Sequence, residues 1–187
     1  MEYKDNFKIT DKETGKEYWV SRSMAVVGII LVVDEEHDKI YFLVEKRGPG
    51  CPDFVGYYCN PCGYLGYNET RKQAVIREIK EEIGLDYSEV NPDYIMEYNI
   101  MDDPEDNERQ NVTTRYILPM EYKSALEFIK DQDLDSESRG GEAGEVDEIL
   151  LVSEDEIDNY AWAWNHGELL KEIVQKFKKE DDNDEVG

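Results

Sequence analysis

The chain has 187 residues, of which 45 are acidic and 21 basic, so its formal net charge at pH 7 is -24. This length suits one domain with its own hydrophobic core, and the apolar fraction of 40% argues against a disordered acidic chain. Because no basic face is available to release counterions from a phosphate backbone, the composition argues against bulk nucleic-acid binding. A small anion would also be repelled, unless cations lie between it and the protein.

The first predicted elements are strands. A hairpin is expected at about residues 7–22, because this segment alternates on both sides of a glycine-containing turn. Two more strands are expected at 24–33 and 39–47. The segment 24–33 is the most apolar in the chain, but it is far too short to cross a bilayer. We therefore predict a buried central strand and no membrane association.

A helix is predicted after a loop that is dense in Gly, Pro, Cys and Tyr. Thr70, followed three positions later by Gln73, has the pattern of a capping box, in which each side chain binds the backbone N–H of the other residue. The helix is expected to continue to about Ile83. Gly84 is the type of residue that ends a helix.

The remaining sequence predicts strands that alternate with helices and acidic loops. The last helix has one apolar face and is followed by a charge run at 179–187, which predicts a disordered acidic tail after a single domain at 1–178. Two strands are expected at 94–101 and 112–120 around an acidic loop at 102–110, then a short helix at 121–131, a flexible glycine-rich loop at 133–145, a strand at 146–152 and a short helix from 153.

Three cysteines indicate the redox environment. Their odd number shows no disulfide framework and no secretory signal is visible, so a reducing, cytoplasmic location is predicted. The Cys-x-x-Cys spacing of Cys59 and Cys62, with Cys51 and either His37 or His166, also suggests zinc. That set does not match a closed zinc site, and free buried thiols are the favoured interpretation.

Glu78, Glu81 and Glu82 crowd three carboxylates onto one face at the end of the predicted helix. Like charges at these spacings repel, and carboxylates in the last turn oppose the helix dipole. A solvated acidic face is the simpler interpretation of any such pair. A hard divalent cation that seeks oxygen ligands would turn the cluster into a binding site.

Fixed partners surround this cluster. The pattern is Gly, five residues, Glu, seven residues, Arg-Glu, an apolar residue, any residue, Glu-Glu, any residue, Gly and an apolar residue. It resembles the Nudix box of the Nudix hydrolases over residues 63–85. Every defined position is matched, by Gly63, Glu69, Arg77, Glu78, Ile79, Glu81, Glu82, Gly84 and Leu85.

The resemblance implies an α/β fold, an α/β/α sandwich with a mixed β-sheet. It implies hydrolysis of a nucleoside diphosphate linked to another group, with Mg²⁺ or Mn²⁺ as cofactor. Glu81 and Glu82 would be the main metal ligands, Glu78 a further ligand or the group that orients water, and the Gly63 carbonyl part of the metal shell. Arg77 would pair with the remaining box residue, Glu69, and hold the loop against the helix.

Other roles are less fixed by the pattern. A general base from a later loop is common in the family, and Glu142 or Glu145 is preferred here over Glu148. Arg47 is a candidate phosphate contact or a surface ion pair. Tyr57, Tyr58, Tyr64 and Tyr67 are candidates to stack on a base or to pack in the core.

The substrate stays open at this stage. A small-molecule nucleotide is the expected partner, and a homodimer is an open alternative. Ile100, Met101 and Asp102 occupy the places where related subfamilies carry a proline or tyrosine marker, while Pro104 comes late. Nucleotide sugars, ADP-ribose-like compounds, nucleoside triphosphates and capped RNA remain candidates. The alternative function is a Nudix-fold module that binds a nucleotide without cleaving it.

Overall fold

The computed structural model of the chain describes residues 5–102, 110–130 and 132–184. Most of the acidic loop predicted at 102–110, with Pro104, lies outside these residues, as do 185–187 at the end of the predicted tail. In the described part, the helices and the main sheet form an α/β/α sandwich, which confirms the predicted fold class. The strands are β1 (Phe7–Thr10), β2 (Glu17–Val20), β3 (Met24–Asp34), β4 (Lys39–Arg47), β5 (Tyr58–Cys59), β6 (Cys62–Tyr64), β7 (Met96–Met101), β8 (Val112–Glu121) and β9 (Val146–Ser153), and the helices are α1 (Arg71–Glu78), α2 (Tyr122–Phe128) and α3 (His166–Asp184).

Strand β3 is the centre of the mixed sheet. It pairs in parallel with β8 along nearly its whole length and antiparallel with β4 and β6. Strand β4 in turn pairs antiparallel with β5 and β9, and β7 pairs antiparallel with β8. Both faces of β3 are buried, which is why its sequence is a continuous apolar run rather than an alternating one.

Two cores lie on opposite faces of the sheet. One packs α1 and α2 against side chains such as Ile30 and Tyr116. The other packs α3 against side chains such as Ile29 and Phe42. Adjacent residues of β3 thus contribute to different cores, because successive strand side chains point to opposite faces.

Helix α1 begins with the predicted capping box. Gln73 N–H donates to Thr70 Oγ1 at 3.3 Å, and Thr70 N–H donates to Gln73 Oε1 at 2.8 Å. The last turn, Ile79–Ile83, widens into a π-helical turn that ends at Gly84, whose φ is 91°. Such a turn changes the direction in which the last side chains leave the helix, and it is frequent at functional sites.

The periphery differs from the sequence prediction at several points. The segment after β9 forms a 3₁₀ turn, Ile157–Asn159, instead of an α-helix. Helix α3 runs to Asp184, so the structure continues residues 179–184 as a helix where a disordered tail was predicted. Extending an existing helix needs no new nucleus, which offsets the low helix propensity of the Asp and Asn residues at 181–184. The hairpin of β1 and β2 forms a separate two-stranded sheet.

Within 5–102, 110–130 and 132–184, none of the helices combines the length and apolar character needed to span a bilayer.

Candidate active site at the carboxylate cluster

The box loop and the box helix meet at Gly63. This glycine lies in β6 opposite Val26 of β3, directly against the side chain of Glu78. A Cβ added at Gly63 would overlap the Glu78 carboxylate. Only a glycine allows the loop backbone to approach this carboxylate so closely, which gives a physical reason for glycine at the first box position.

Arg77 links the acidic residues of the box. Its guanidinium donates to both oxygens of Glu69 at 2.8 and 3.1 Å, to Glu78 at 2.7 Å and to Glu81 at 2.9 Å. A further hydrogen bond, 3.1 Å long, goes to the carbonyl of Tyr64 in β6. The structure therefore brings these residues together around one cation, which holds the loop on the helix and reduces the repulsion among the carboxylates.

Glu82 is almost completely buried beneath the loop, and its Oε2 accepts a 2.8 Å hydrogen bond from the backbone N–H of Cys62. Burial, with the nearby charge of Glu45, raises the pKa of Glu82 well above its usual range. Burial also raises the pKa of Glu78 to about 7, although Arg77 opposes the shift. Both carboxylates are thus held where a negative charge is costly unless a cation accompanies it.

Glu45 is a member of this cluster that the sequence prediction missed. It lies on β4 opposite Cys59 of β5 and is completely buried. Burial raises its pKa to about 8, and the charges of Glu145 and Glu78 add to the shift. The sequence shows Glu45 only as the first of three charged residues after the apolar run 40–44, and this position does not reveal that its side chain is buried.

The glycine-rich loop predicted as flexible at 133–145 is fastened over the end of the box helix. Arg139 donates to the carbonyls of Lys80 and Glu81 at 3.1 Å and to that of Glu82 at 3.0 Å. The carbonyls of Glu81 and Glu82 belong to the last helical turn, where carbonyls lack intrahelical partners, so a cation there also interacts favourably with the helix dipole. Sequence reasoning missed Arg139, because no local pattern links it to a helix more than 50 residues away.

This loop carries the two preferred candidates for the general base. Glu142 and Glu145 both line the cavity next to the box, and Glu142 N–H donates to Glu145 Oε2 at 3.1 Å. The third candidate, Glu148, instead accepts a hydrogen bond from Tyr58 OH at 3.1 Å on β9. Glu145 is the nearer to the box electrostatically, because its charge raises the pKa of both Glu78 and Glu82.

A cavity of about 530 Å³ adjoins the carboxylate cluster. Arg47 is buried in its wall, donates to Asp53 Oδ1 at 3.0 Å and places its guanidinium 4.9 Å from the ring centre of Trp164. It is therefore not the surface ion pair that was the alternative for this residue. The other residues that line the cavity include Cys62, Gly63, Tyr64, Asn111, Arg115, Glu142, Glu145, Asn165 and His166.

Two aromatic side chains at the cavity have an unusual backbone. Phe54 and Trp164 are partly exposed, their ring centres are 5.1 Å apart, and both residues have φ near 50°. The left-handed region is uncommon for bulky side chains and costs on the order of 1–3 kcal/mol. Such strain persists where the surrounding structure imposes it, and it is concentrated at ligand sites.

The tyrosines around the box occupy different environments. Tyr64 lines the cavity, and its hydroxyl accepts a hydrogen bond from Asn111 Nδ2 at 3.4 Å. Tyr58 packs with Tyr160 beside the α3 core, while Tyr67 is exposed to solvent. Among the four tyrosines proposed from the sequence, Tyr64 is therefore the one that lines the cavity.

The donor set at this junction fits a hard divalent cation. It consists of carboxylate oxygens from Glu78, Glu81, Glu82 and Glu45, and the close approach at Gly63 lets the backbone join them. Within the ranges that the structure describes, no three His, Cys, Asp or Glu side chains are grouped closely enough to hold a metal ion. Two of these donors, Glu78 and Glu81, are instead bound by Arg77.

His166 at the start of α3 predicts a pH-dependent stability. It is buried, accepts the Asn60 N–H at Nδ1 (3.1 Å), and burial lowers its pKa to about 3. A depressed pKa gives stability that is complete above the ordinary value of 6.5 and is lost as the pH falls from 6.5 towards 3. His166→Asn keeps an acceptor for Asn60. We expect it to reduce the pH dependence of the free energy of unfolding, measured with urea, by about 1 kcal/mol per pH unit. Parallel curves for both proteins below pH 6 would contradict it.

Comparisons with known proteins agree with this geometry. A family model described as NUDIX domain matches residues 22–173. An ADP-ribose pyrophosphatase of Methanocaldococcus jannaschii is 39% identical over 80 residues, which are 42% of this chain and 43% of that protein. The match thus spans less than half the length of the curated relative.

Solved structures of low sequence identity share the fold. The NUDIX domain of Shewanella oneidensis NrtR, complexed with ADP ribose, superposes with a TM-score of 0.63 at 16% identity, covering 84% of this chain and 90% of that chain. A mutT/nudix family protein from Listeria innocua gives 0.62 at 20% identity, covering 84% and 95%. A bifunctional NMN adenylyltransferase/ADP ribose pyrophosphatase from Francisella tularensis, complexed with AMP and a Mn ion, gives 0.62 at 17%, covering 83% and 42%. Because the family model matches most of this chain and the box is intact, the chain belongs to the Nudix hydrolase family.

Proposed function

We propose that the protein is a metal-dependent pyrophosphohydrolase, which cleaves a nucleoside diphosphate linked to another group. The observation that carries the proposal is the pair of buried carboxylates, Glu78 and Glu82, behind Gly63 and Cys62 in the wall of a cavity that also holds a guanidinium and aromatic rings. Carboxylates alone would repel a pyrophosphate. When a divalent cation lies between the carboxylates and the pyrophosphate, the same carboxylates favour binding of the pyrophosphate.

The box residues divide the work in this proposal. Glu78, Glu81 and Glu82 hold Mg²⁺ or Mn²⁺ with the Gly63 carbonyl, and Arg77 positions Glu78 and Glu81 through its ion pairs. The bound cation supplies neutralisation of the phosphate oxygens and a more acidic water. Phosphoryl transfer requires mainly this positioning and charge stabilisation.

Glu145 is our choice for the general base, with Glu142 as the alternative. A base must lie within hydrogen-bond reach of the attacking water, directly or through one other water. Both carboxylates line the cavity beside the box, and the carbonyl of Glu145 is tied to Gly48 N–H at 2.7 Å. A fastened backbone at residue 145 favours the fixed geometry that a base needs.

The opposite side of the cavity suits the nucleoside part of a substrate. Trp164 and Phe54 present aromatic surface on which a base can stack. Arg47, which lines the same cavity beside Trp164, is a phosphate contact in this arrangement. Tyr64 has an exposed ring on the box side of the same cavity.

The substrate class rests on the relatives' printed descriptions. Two of them name ADP-ribose pyrophosphatases, and one names a NUDIX domain bound to ADP ribose. ADP-ribose is therefore our first candidate, ahead of nucleotide sugars, nucleoside triphosphates and capped RNA. All four contain the phosphoanhydride bond that the proposed chemistry cleaves.

The test is a hydrolysis screen of these compounds with the full-length protein in Mg²⁺ or Mn²⁺. Release of a nucleoside monophosphate that is abolished by a chelator supports the proposal. If no compound is turned over, while a nucleotide binds equally well to the wild type and to Glu82→Gln, the non-catalytic binding module is the correct function.

Trp164→Leu is expected to act on binding more than on chemistry. Loss of base stacking costs about 1–3 kcal/mol, so KM should rise roughly 10-fold with a smaller change in kcat. Tyr67→Leu is a suitable control, because that ring is exposed away from the cavity. Equal KM values for the two variants would remove Trp164 from the substrate site.

A further inference from the structure

The Oε2 atom of Glu45 is a buried carboxylate oxygen. Among the residues that the structure describes, none donates a hydrogen bond to it. Its other oxygen, Oε1, accepts only a weak hydrogen bond from the Cys59 thiol, at 3.3 Å. Neighbouring positions of β4, Phe42 to Val44, are apolar and equally buried. An apolar residue at position 45 would pack equally well, so packing does not explain a buried carboxylate there.

A carboxylate in this position is costly. Removing an ion from water without a partner costs several kcal/mol even after the protein relaxes. The guanidinium nearest along the strand, that of Arg47, is hydrogen-bonded to Asp53 and stacked on Trp164. It therefore offers its donors elsewhere and leaves Glu45 Oε2 without a counter-charge in contact.

Glu45 belongs to the same site as the box carboxylates. Glu45 lies opposite Cys59 in the β4–β5 pairing. Three residues further along the chain, the backbone N–H of Cys62 donates to the carboxylate of Glu82, so one short segment links Glu45 and Glu82. Glu45 makes the largest contribution of any charge to the raised pKa of Glu82. Glu78 and Glu145 in turn raise the pKa of Glu45, so the charges of these carboxylates act on one another.

We propose that Glu45 is a further member of the divalent-cation site and that its Oε2 contributes to cation binding with Glu82. The inference rests on the proposed function for the identity of the ion. It adds a residue outside the box and from another strand, which the nine-position pattern does not contain. The unpartnered oxygen is the observation that distinguishes Glu45 from an ordinary acidic neighbour.

The competing explanation is a neutral acid that only fills space. A protonated Glu45 would keep its contact with Cys59 and would not need a cation. The two explanations differ in what Glu45→Gln does. Glutamine has nearly the same shape and can still accept from the thiol, but it carries no charge and is a poorer ligand for a hard ion.

The experiment measures Mn²⁺ binding by calorimetry to full-length wild type, Glu45→Gln and the matched control Glu89→Gln, which changes an exposed carboxylate. We expect Glu45→Gln to weaken Mn²⁺ affinity about 10-fold to 100-fold and the control to stay within about twofold. Melting temperatures give a second readout: without metal Glu45→Gln should melt higher than wild type, and the rise on adding Mn²⁺ should be smaller.

Equal Mn²⁺ affinity of Glu45→Gln and Glu89→Gln would overturn the inference and leave the neutral acid. If Glu45→Gln does not fold, Glu45→Asp, which withdraws the oxygen by one methylene, takes its place with the same expectation for Mn²⁺ affinity, but without the rise in the metal-free melting temperature, because it keeps the charge. Turnover is recorded on the same preparations. Normal Mn²⁺ binding without turnover by the wild type would overturn the proposed function alone, whereas turnover with an unaltered affinity in Glu45→Gln would overturn this inference alone.

Discussion

Glu82→Gln is expected to lower kcat/KM about 1000-fold, because a cation that stabilises the transition state contributes several kcal/mol and each factor of ten corresponds to 1.36 kcal/mol. Glu82 is the most deeply buried of the box glutamates. Its loss removes a charged oxygen from the centre of the proposed cation site. The measurement is steady-state hydrolysis of the panel compound that the wild type cleaves fastest, with Mn²⁺ in excess.

The fold should survive this substitution. A glutamine oxygen can still accept the Cys62 N–H that Glu82 Oε2 accepts at 2.8 Å. Removal of a buried charge should keep the melting temperature without metal at or above that of the wild type. A Glu82→Gln protein that melts normally and retains more than about a tenth of the activity would contradict the assignment of Glu82 as a main ligand.

Gly63→Ala is expected to lower kcat about 100-fold, through geometry rather than charge. The added Cβ would overlap the carboxylate of Glu78, so that either the loop or the glutamate must move. A displacement of about 1 Å in a catalytic arrangement can cost about 100-fold in rate. Because the Gly63 carbonyl is itself a proposed metal contact, Mn²⁺ affinity should fall together with kcat.

Gly15→Ala provides the control for Gly63→Ala. Gly15 lies in the hairpin turn with φ of 71° and open space around its Cα, so alanine there strains the backbone without a steric contact. It should lower stability by about 1–2 kcal/mol and leave Mn²⁺ binding unchanged. If Gly63→Ala binds Mn²⁺ as tightly as Gly15→Ala does, the close approach of Gly63 to Glu78 is not a requirement of the site.

Local patterns in the sequence were sufficient for the elements whose partners are close along the chain. The capping box of Thr70 and Gln73, the stop at Gly84 and the buried run of β3 depend on spacings of a few residues, and the structure confirms each of them. The prediction failed after β9, where a capping pattern led only to a 3₁₀ turn. There the backbone of Ala161 and Ala163 pairs with Tyr58, and this tertiary contact outweighs local helix propensity.

The nine-position box by itself determined the family and the chemistry proposed for this protein, because its residues lie on one loop and one helix at fixed spacing. Only the tertiary structure decided that the charge of Glu45 acts on Glu82, that Arg139 fastens the glycine-rich loop, and that Arg47 and Trp164 share a cavity with Gly63 of the box. These contacts join residues between 37 and 117 positions apart. Such pairings arise when strands and loops pack into one domain, and no local periodicity in a single sequence records them.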